Sequence, residues 1–92
     1  MDAIRKMTLM PAQRLEARVP AMRQKGRLSV GADADITIFD PATVLDRSTY
    51  REPSLSPVGI RHVIVNGVSV VANGRAIEGV APGKAVRGEA LP

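Results

Sequence analysis

Cysteine and tryptophan are absent from these 92 residues, and there is one histidine, one phenylalanine and one tyrosine. Without a thiol there are no disulfides, thiolate metal sites, cysteine nucleophiles or CxxC redox chemistry, and the redox compartment stays undetermined. Without aromatics, any core must be aliphatic: apolar residues make up 45% of the chain and most of them are Ala and Val. No apolar run approaches the roughly 20 residues needed to span a bilayer. The start, Met1-Asp2-Ala3-Ile4-Arg5-Lys6, lacks the apolar stretch of a secretory signal. A soluble, cytoplasmic protein is expected, with a small core, because a chain this short typically buries only about 60 to 65% of its unfolded surface.

Concentrated charge is lacking too. The net charge of +4 and a pI near 10.4 raise the question of nucleic acid or an anionic membrane. Ten Arg and three Lys, however, are spread from Arg5 to Arg87 with acids between them, and no window forms a binding arm. The near absence of aromatics also makes a poor platform for stacking bases. Neither nucleic acid nor membrane is expected as a partner.

What is present divides into helical and strand-like parts. From Asp2 to Lys25, Ile4, Met7 and Leu15 recur at helical spacing among good helix formers. Pro11 has no amide to donate and restricts its predecessor, which predicts two segments, with Thr8 as a cap and Pro11 in the first turn of the second. Pro20 marks another break, and Gly26 ends the helical part. Next, Ala34-Asp35-Ile36-Thr37-Ile38-Phe39 reads as a strand that stops at the turn dipeptide Asp40-Pro41. Residues 41–59, with Pro53 and Pro57, read as a long surface loop or two short irregular pieces.

The clearest local signal is Ile60-Arg61-His62-Val63-Ile64-Val65, then Asn66-Gly67, then Val68-Ser69-Val70-Val71. Asn-Gly between apolar runs predicts a two-residue type I′ hairpin, whose central positions both need positive φ. The register that follows pairs Val65 with Val68 and Val63 with Val70, gathering four valines on a core face and leaving Ile64, Ser69, His62 and Val71 on the other. Asn73-Gly74 should turn the chain into Arg75-Ala76-Ile77 as a third antiparallel strand. The expected organisation is a helical segment over 1–25, a β region over 26–78 and a tail over 79–92 with little to fold on.

Few residues offer chemistry. A zinc site needs three or four protein ligands and His62 is alone, so a packed or half-exposed strand residue is expected there. Asp33, Asp35 and Asp40 are the clustered carboxylates, and a hard-cation site or an acid/base pair is conceivable. Asp beside Gly31 and Pro41 is also what turns and strand ends contain, the side chain accepting from nearby amides, and that structural role is expected. Pro82-Gly83-Lys84 with Arg87-Gly88 imitates a phosphate loop but lacks its glycine spacing and following helix. Ser48, Thr49, Ser54 and Ser56 are loop hydroxyls with no base beside them in the sequence. No catalytic, cofactor-binding or metal-binding residue is expected in this chain.

The order of these elements carries a resemblance. Gly26-Arg27-Leu28-Ser29-Val30-Gly31-Ala32-Asp33-Ala34-Asp35-Ile36-Thr37-Ile38-Phe39-Asp40 resembles the segment that follows the barrel in the amidohydrolase superfamily, and Val65-Asn66-Gly67 with Asn73-Gly74-Arg75 matches that superfamily's tail. Three further stretches are similar to the N-acyl-D-amino-acid deacylases, or D-aminoacylases. They are Arg5-Lys6-Met7-Thr8 with Pro11-Ala12-Gln13-Arg14-Leu15, then Asp40-Pro41-Ala42-Thr43-Val44 with Asp46-Arg47, and Gly59-Ile60-Arg61-His62-Val63 running into Pro82-Gly83-Lys84. Residues 16–25 depart from the family, being longer than its short link.

The resemblance implies a mainly β fold with N-terminal helices, a partial β-sandwich from the family's composite small domain without the (β/α)8 barrel. It also implies a full-length parent that hydrolyses the amide of N-acyl-D-amino acids with zinc-activated water. The parent's metal ligands, a His-x-His pair and further His and carboxylate or Cys positions, would lie upstream of what is present. The expected function is then a non-catalytic C-terminal fragment, with zinc only in the parent and no small-molecule substrate of its own. Edges and helix faces that the parent would cover predict a homo-oligomer, a dimer above all. The alternatives are a stand-alone β interaction module without enzymatic activity, and a small basic nucleic-acid binder.

Overall fold

The computed structural model describes residues 1–88. Two compact units emerge: residues 1–35 together with the chain from Gly83, and Ile36–Pro82. The last four residues of the expected 79–92 tail lie outside the described residues.

In the first unit, helix α1 (Asp2–Met7) and helix α2 (Leu9–Leu15) are separated at Thr8, whose backbone leaves the helical region with φ −123° and ψ −78°. Pro11 is the third residue of α2, where its missing N–H belongs to the turn that has no intrahelical acceptor anyway. Thr8 does sit at the cap position, yet it makes no side-chain capping bond. Its hydroxyl instead donates back to the Ile4 carbonyl at 2.7 Å, the bond to a preceding carbonyl that Thr favours inside helices. A 3-10 helix, Pro20–Gln24, opens on Pro20, and Gly26 at φ +70° ends the helical part.

Gly26 also closes this unit. Its backbone passes so near the α1–α2 junction that a Cβ there would clash with the Thr8 carbonyl and stand 3.1 Å from the Ala12 Cβ. Ala12, only 1% exposed, is the one buried hydrophobic residue among the described residues.

The second unit is a four-stranded antiparallel sheet in the order β1-β2-β3-β4: β1 (Ile36–Phe39), β2 (Ile60–Val65), β3 (Val68–Ala72) and β4 (Arg75–Ala76). It is a partial β domain, open at both edges. Asn66 and Gly67 have φ of 53° and 79°, and Asn73 and Gly74 52° and 77°, so both Asn-Gly pairs form the left-handed two-residue turns expected of them. Val65 faces Val68 as expected.

Beyond that pair the simple register fails. Ile64 faces Ser69 but Val63 faces Val71, so Val70 is an extra residue on β3, a β-bulge, and Val71 rather than Val70 lies opposite Val63. A second shift, on β2, puts His62 opposite Ile38 and Ile60 opposite Phe39, leaving Arg61 unopposed. His62 therefore does not oppose Val71. The bulged Arg61 carbonyl accepts from the Gly74 amide at 2.9 Å, which ties the second turn to β2. The valines expected to form a core are only half-buried, and Val68 is exposed.

Residues 41–59 are less irregular than expected: Leu45 and Val58 exchange two backbone hydrogen bonds of 3.0 Å, an isolated antiparallel bridge across the loop. Gly59 at φ +82° lies against this segment, and a Cβ there would come within 2.5 Å of the Val44 backbone.

These layers bury little. The 9.8 kDa chain exposes 7649 Å², whereas even two separate compact bodies of half that mass would together expose roughly 6,200 Å². Large apolar side chains lie at the surface of both units, Met7 and Leu28 in the first, Leu45 and Ile38 in the second.

Candidate functional site

Asp33 and Asp35 are brought together, but around a lysine. Lys25 Nζ lies 2.9 Å from Asp33 Oδ2 and 2.6 Å from Asp35 Oδ2. The turn that allows this begins at Gly26 and is fastened by the Asp33 amide donating to the Gln24 carbonyl at 2.9 Å. Hydrogen bonds to Asp35 and then Asp33 raise the Lys25 pKa above its ordinary value, so the ammonium is held charged. A carboxylate pair already holding a cation is a poor general base and a poor cation site. The role differs from the amide-accepting one expected of Asp33 and Asp35, and the lysine was not legible as their partner. Arg27 adds a parallel tie, from Nη2 to Glu16 Oε2 at 3.3 Å and from Nε to the Lys25 carbonyl at 2.9 Å.

Asp40 does play the turn role. Its Oδ1 accepts from the Ala42 amide at 2.9 Å, its carbonyl accepts from Thr43 and Val44, and Oδ2 stands 3.5 Å from Arg61 Nη2. The Ala42 amide above all, then the Thr43 hydroxyl and the Arg61 charge, hold its carboxyl below the usual range. It follows the last residue of β1, and its carboxylate is engaged by the turn and by Arg61.

His62 is half-buried on β2 opposite Ile38. Among the described residues no three His, Cys, Asp or Glu side chains gather as a metal site would require. The zinc that the resemblance implies for the parent does not fit what is gathered among the described residues: one imidazole, and carboxylates that nowhere converge in threes, Asp33 and Asp35 sharing Lys25 and Asp40 lying in a turn.

The loop hydroxyls do have a neighbour that the sequence did not expose. Ser48 donates through its hydroxyl, at 2.6 Å, and its amide, at 2.9 Å, to Asp46 Oδ1. Those two bonds hold the Asp46 carboxyl below its ordinary value, which makes it a weaker base. Thr49 Oγ1 accepts from the Glu52 amide at 2.9 Å. Both are loop-stabilising contacts beside an open hollow of about 400 Å³ lined by Ser48, Thr49, Tyr50 and Pro53. Residues 80–88 contain no helix, so Pro82-Gly83-Lys84 has no helix N-terminus with which to hold a phosphate.

The model of the amidohydrolase family matches residues 1–71. The chain belongs to the amidohydrolase family. It is 48% identical over 68 residues to an N-acyl-D-glutamate deacylase, across 74% of this chain and 13% of that protein. A D-aminoacylase is 40% identical over 68 residues. An N-acyl-D-aspartate deacylase is 35% identical over 91 residues, 98% of this chain and 17% of that protein. All three come from Alcaligenes xylosoxydans xylosoxydans. The chain thus spans between 13% and 17% of the length of these curated relatives. No solved structure matches it. The resemblance to the N-acyl-D-amino-acid deacylases holds, and so does the partial β domain it implied. No helix among the described residues is long and apolar enough to cross a membrane.

Proposed function

We propose that these 92 residues are a non-catalytic structural segment of an amidohydrolase whose complete form hydrolyses the amide of N-acyl-D-amino acids. The observation that carries this reading is the pairing of Asp33 and Asp35 with Lys25: the two carboxylates already share an ammonium, and the chain offers one His and no Cys beside them. The names of the relatives supply the amide substrate class. In this reading the segment binds no zinc, no small-molecule substrate and no nucleic acid, and resides in the cytoplasm.

The test is metal analysis after dialysis, alongside assays on N-acyl-D-glutamate and N-acyl-D-aspartate. No stoichiometric zinc and no hydrolysis are expected. One tightly held zinc per chain, or turnover that survives further purification, would overturn the reading.

A further inference from the structure

We infer that Asn66 is a self-modification site of this chain: the Gly67 backbone nitrogen displaces its side-chain amide as ammonia, while the matching pair Asn73-Gly74 is held back by the fold.

An asparagine followed by glycine is prone to this reaction, because no side chain crowds the attacking nitrogen, and the chain has two such pairs. The structure makes them a matched comparison. Asn66 and Asn73 have φ of 53° and 52°, Gly67 and Gly74 have 79° and 77°, and all four residues are exposed. Turn conformation alone therefore gives the two pairs equal rates.

What differs is the attacking nitrogen. Ring closure requires the glycine N–H to surrender its proton, and an N–H that donates to a carbonyl forfeits that bond in doing so. The Gly74 amide donates to the Arg61 carbonyl at 2.9 Å, an acceptor supplied by the register shift that leaves Arg61 unopposed on β2. The Gly67 amide has no protein acceptor among the described residues. Nothing lies within 4 Å of the place a Gly67 Cβ would occupy, so the ring has room to form. The Asn66 Nδ2 does donate to the Pro82 carbonyl, at 3.4 Å, but that bond is long and engages the leaving nitrogen, not the carbon attacked. These contacts all lie within Ile36–Pro82, and the reaction needs no part of a longer protein.

A buffer base takes the Gly67 amide proton, and the nitrogen adds to Asn66 Cγ. The resulting oxyanion collapses by breaking the Cγ–Nδ2 bond, and Nδ2 takes up a proton and leaves as ammonia. A five-membered succinimide remains, and water adds to one of its two carbonyls. Opening at Cγ leaves an aspartate in an ordinary backbone; opening at the main-chain carbonyl leaves an isoaspartate, with the backbone running through Cγ. One water is consumed and one ammonia released, and nothing is oxidised or reduced. Either product lowers the net charge of +4 by one and lacks the donor that reaches Pro82.

The test is incubation of the 92-residue protein in mildly alkaline buffer, with peptide mapping by mass spectrometry to separate conversion at Asn66 from conversion at Asn73. Asn66 is expected to convert about tenfold faster, the ratio to which one hydrogen bond's worth of barrier corresponds. In denaturant, where the Arg61 bond is gone, the two rates should converge. Amide exchange in the folded protein should be faster at Gly67 than at Gly74. Asn66→Gly, which keeps a residue suited to positive φ, should abolish most of the acidic product on ion exchange. Equal conversion of the two pairs, no conversion at Asn66, a ratio unchanged in denaturant, equal exchange at the two glycines, or an Asn66→Gly protein that acidifies as fast as the unsubstituted one would each overturn the inference.

Discussion

In the meander of residues 60–76 the backbone specifies itself. Two Asn-Gly turns at positive φ and a ladder between neighbouring strands leave the side chains little to decide, and half-buried valines suffice. In residues 1–35 the chain is held by specific approaches between distant positions: Gly26 against Thr8 and Ala12, Lys25 against Asp33 and Asp35, Arg27 against Glu16. Two short helices of six and seven residues are below the length at which helices persist on propensity alone, which is on the order of 12 to 15 residues. A local turn tolerates the loss of a neighbour, whereas a close approach tolerates nothing in the gap.

The comparison is broken most severely at Gly26. Gly26→Ala meets both a positive φ and the Thr8 carbonyl, and no side-chain rotation relieves a clash with backbone. A loss on the order of 3 kcal/mol is expected, read as a fall in the urea midpoint together with faster amide exchange at Ala12, whose N–H donates to the Thr8 carbonyl at 3.3 Å. A loss below about 1 kcal/mol would mean that the helices move aside freely and that Gly26 does not close this unit.

The sheet should show the smaller, purely conformational cost. At Gly67 nothing lies within 4 Å of an added Cβ, so Gly67→Val suffers from its φ of 79° alone, a β-branched side chain in the left-handed region costing about 1 to 3 kcal/mol. Ser69→Ala, on an exposed position of β3, should stay within about 0.5 kcal/mol. Denaturant titrations of the two variants that coincide would contradict the turn's importance.

The same contrast explains what could be read in advance. Asn66-Gly67 and Asn73-Gly74 announce themselves because positive φ is a property of two adjacent residues. Pro11 and Pro20 place helix starts for the same local reason. The bulges at Val70 and Arg61 were hidden, since Val68-Ser69-Val70-Val71 looks regular in either register and only the second turn, through the Gly74 bond to Arg61, selects the shifted one. The Lys25 pairing was hidden because Asp33 and Asp35 lie eight and ten positions away, and only the Gly26 turn folds them back. For the candidate site, the lone His62 was legible from composition, but the ammonium shared by the two aspartates is a product of the fold.

A gentler difference appears on the alkaline side. The Lys25 pKa is raised by its two carboxylate partners, so its contribution is fully present below the ordinary lysine value of about 10.4 and fades as pH rises through the folded-state value. Lys25→Met should cost up to about 1 kcal/mol at neutral pH, the pair being partly exposed. It should also flatten the decline in stability above about pH 10. An unchanged alkaline slope in thermal melts would show that the ammonium contributes nothing to these residues.

The smallest effect belongs to the sheet's own charge, at the end of β1. Asp40 is held below its ordinary range by the Ala42 amide first, then by the Thr43 hydroxyl and Arg61. A depressed carboxyl contributes stability above its unfolded value, about pH 4, and that contribution is lost as pH falls through the folded value. Asp40→Asn separates the causes: its side-chain oxygen still accepts from the Ala42 amide, while the charge toward Arg61 disappears. If the turn is held by backbone geometry, as the rest of the meander is, the neutral-pH loss should be small, no more than the stability the unsubstituted protein loses at Asp40 on acidification, and the acid slope should shrink by the same amount. The check is a pair of urea titrations of each protein, one near neutrality and one near pH 3. A large loss at neutral pH would mean that charge, not turn geometry, ends β1, and would make this corner of the sheet resemble the ion-paired region around Lys25.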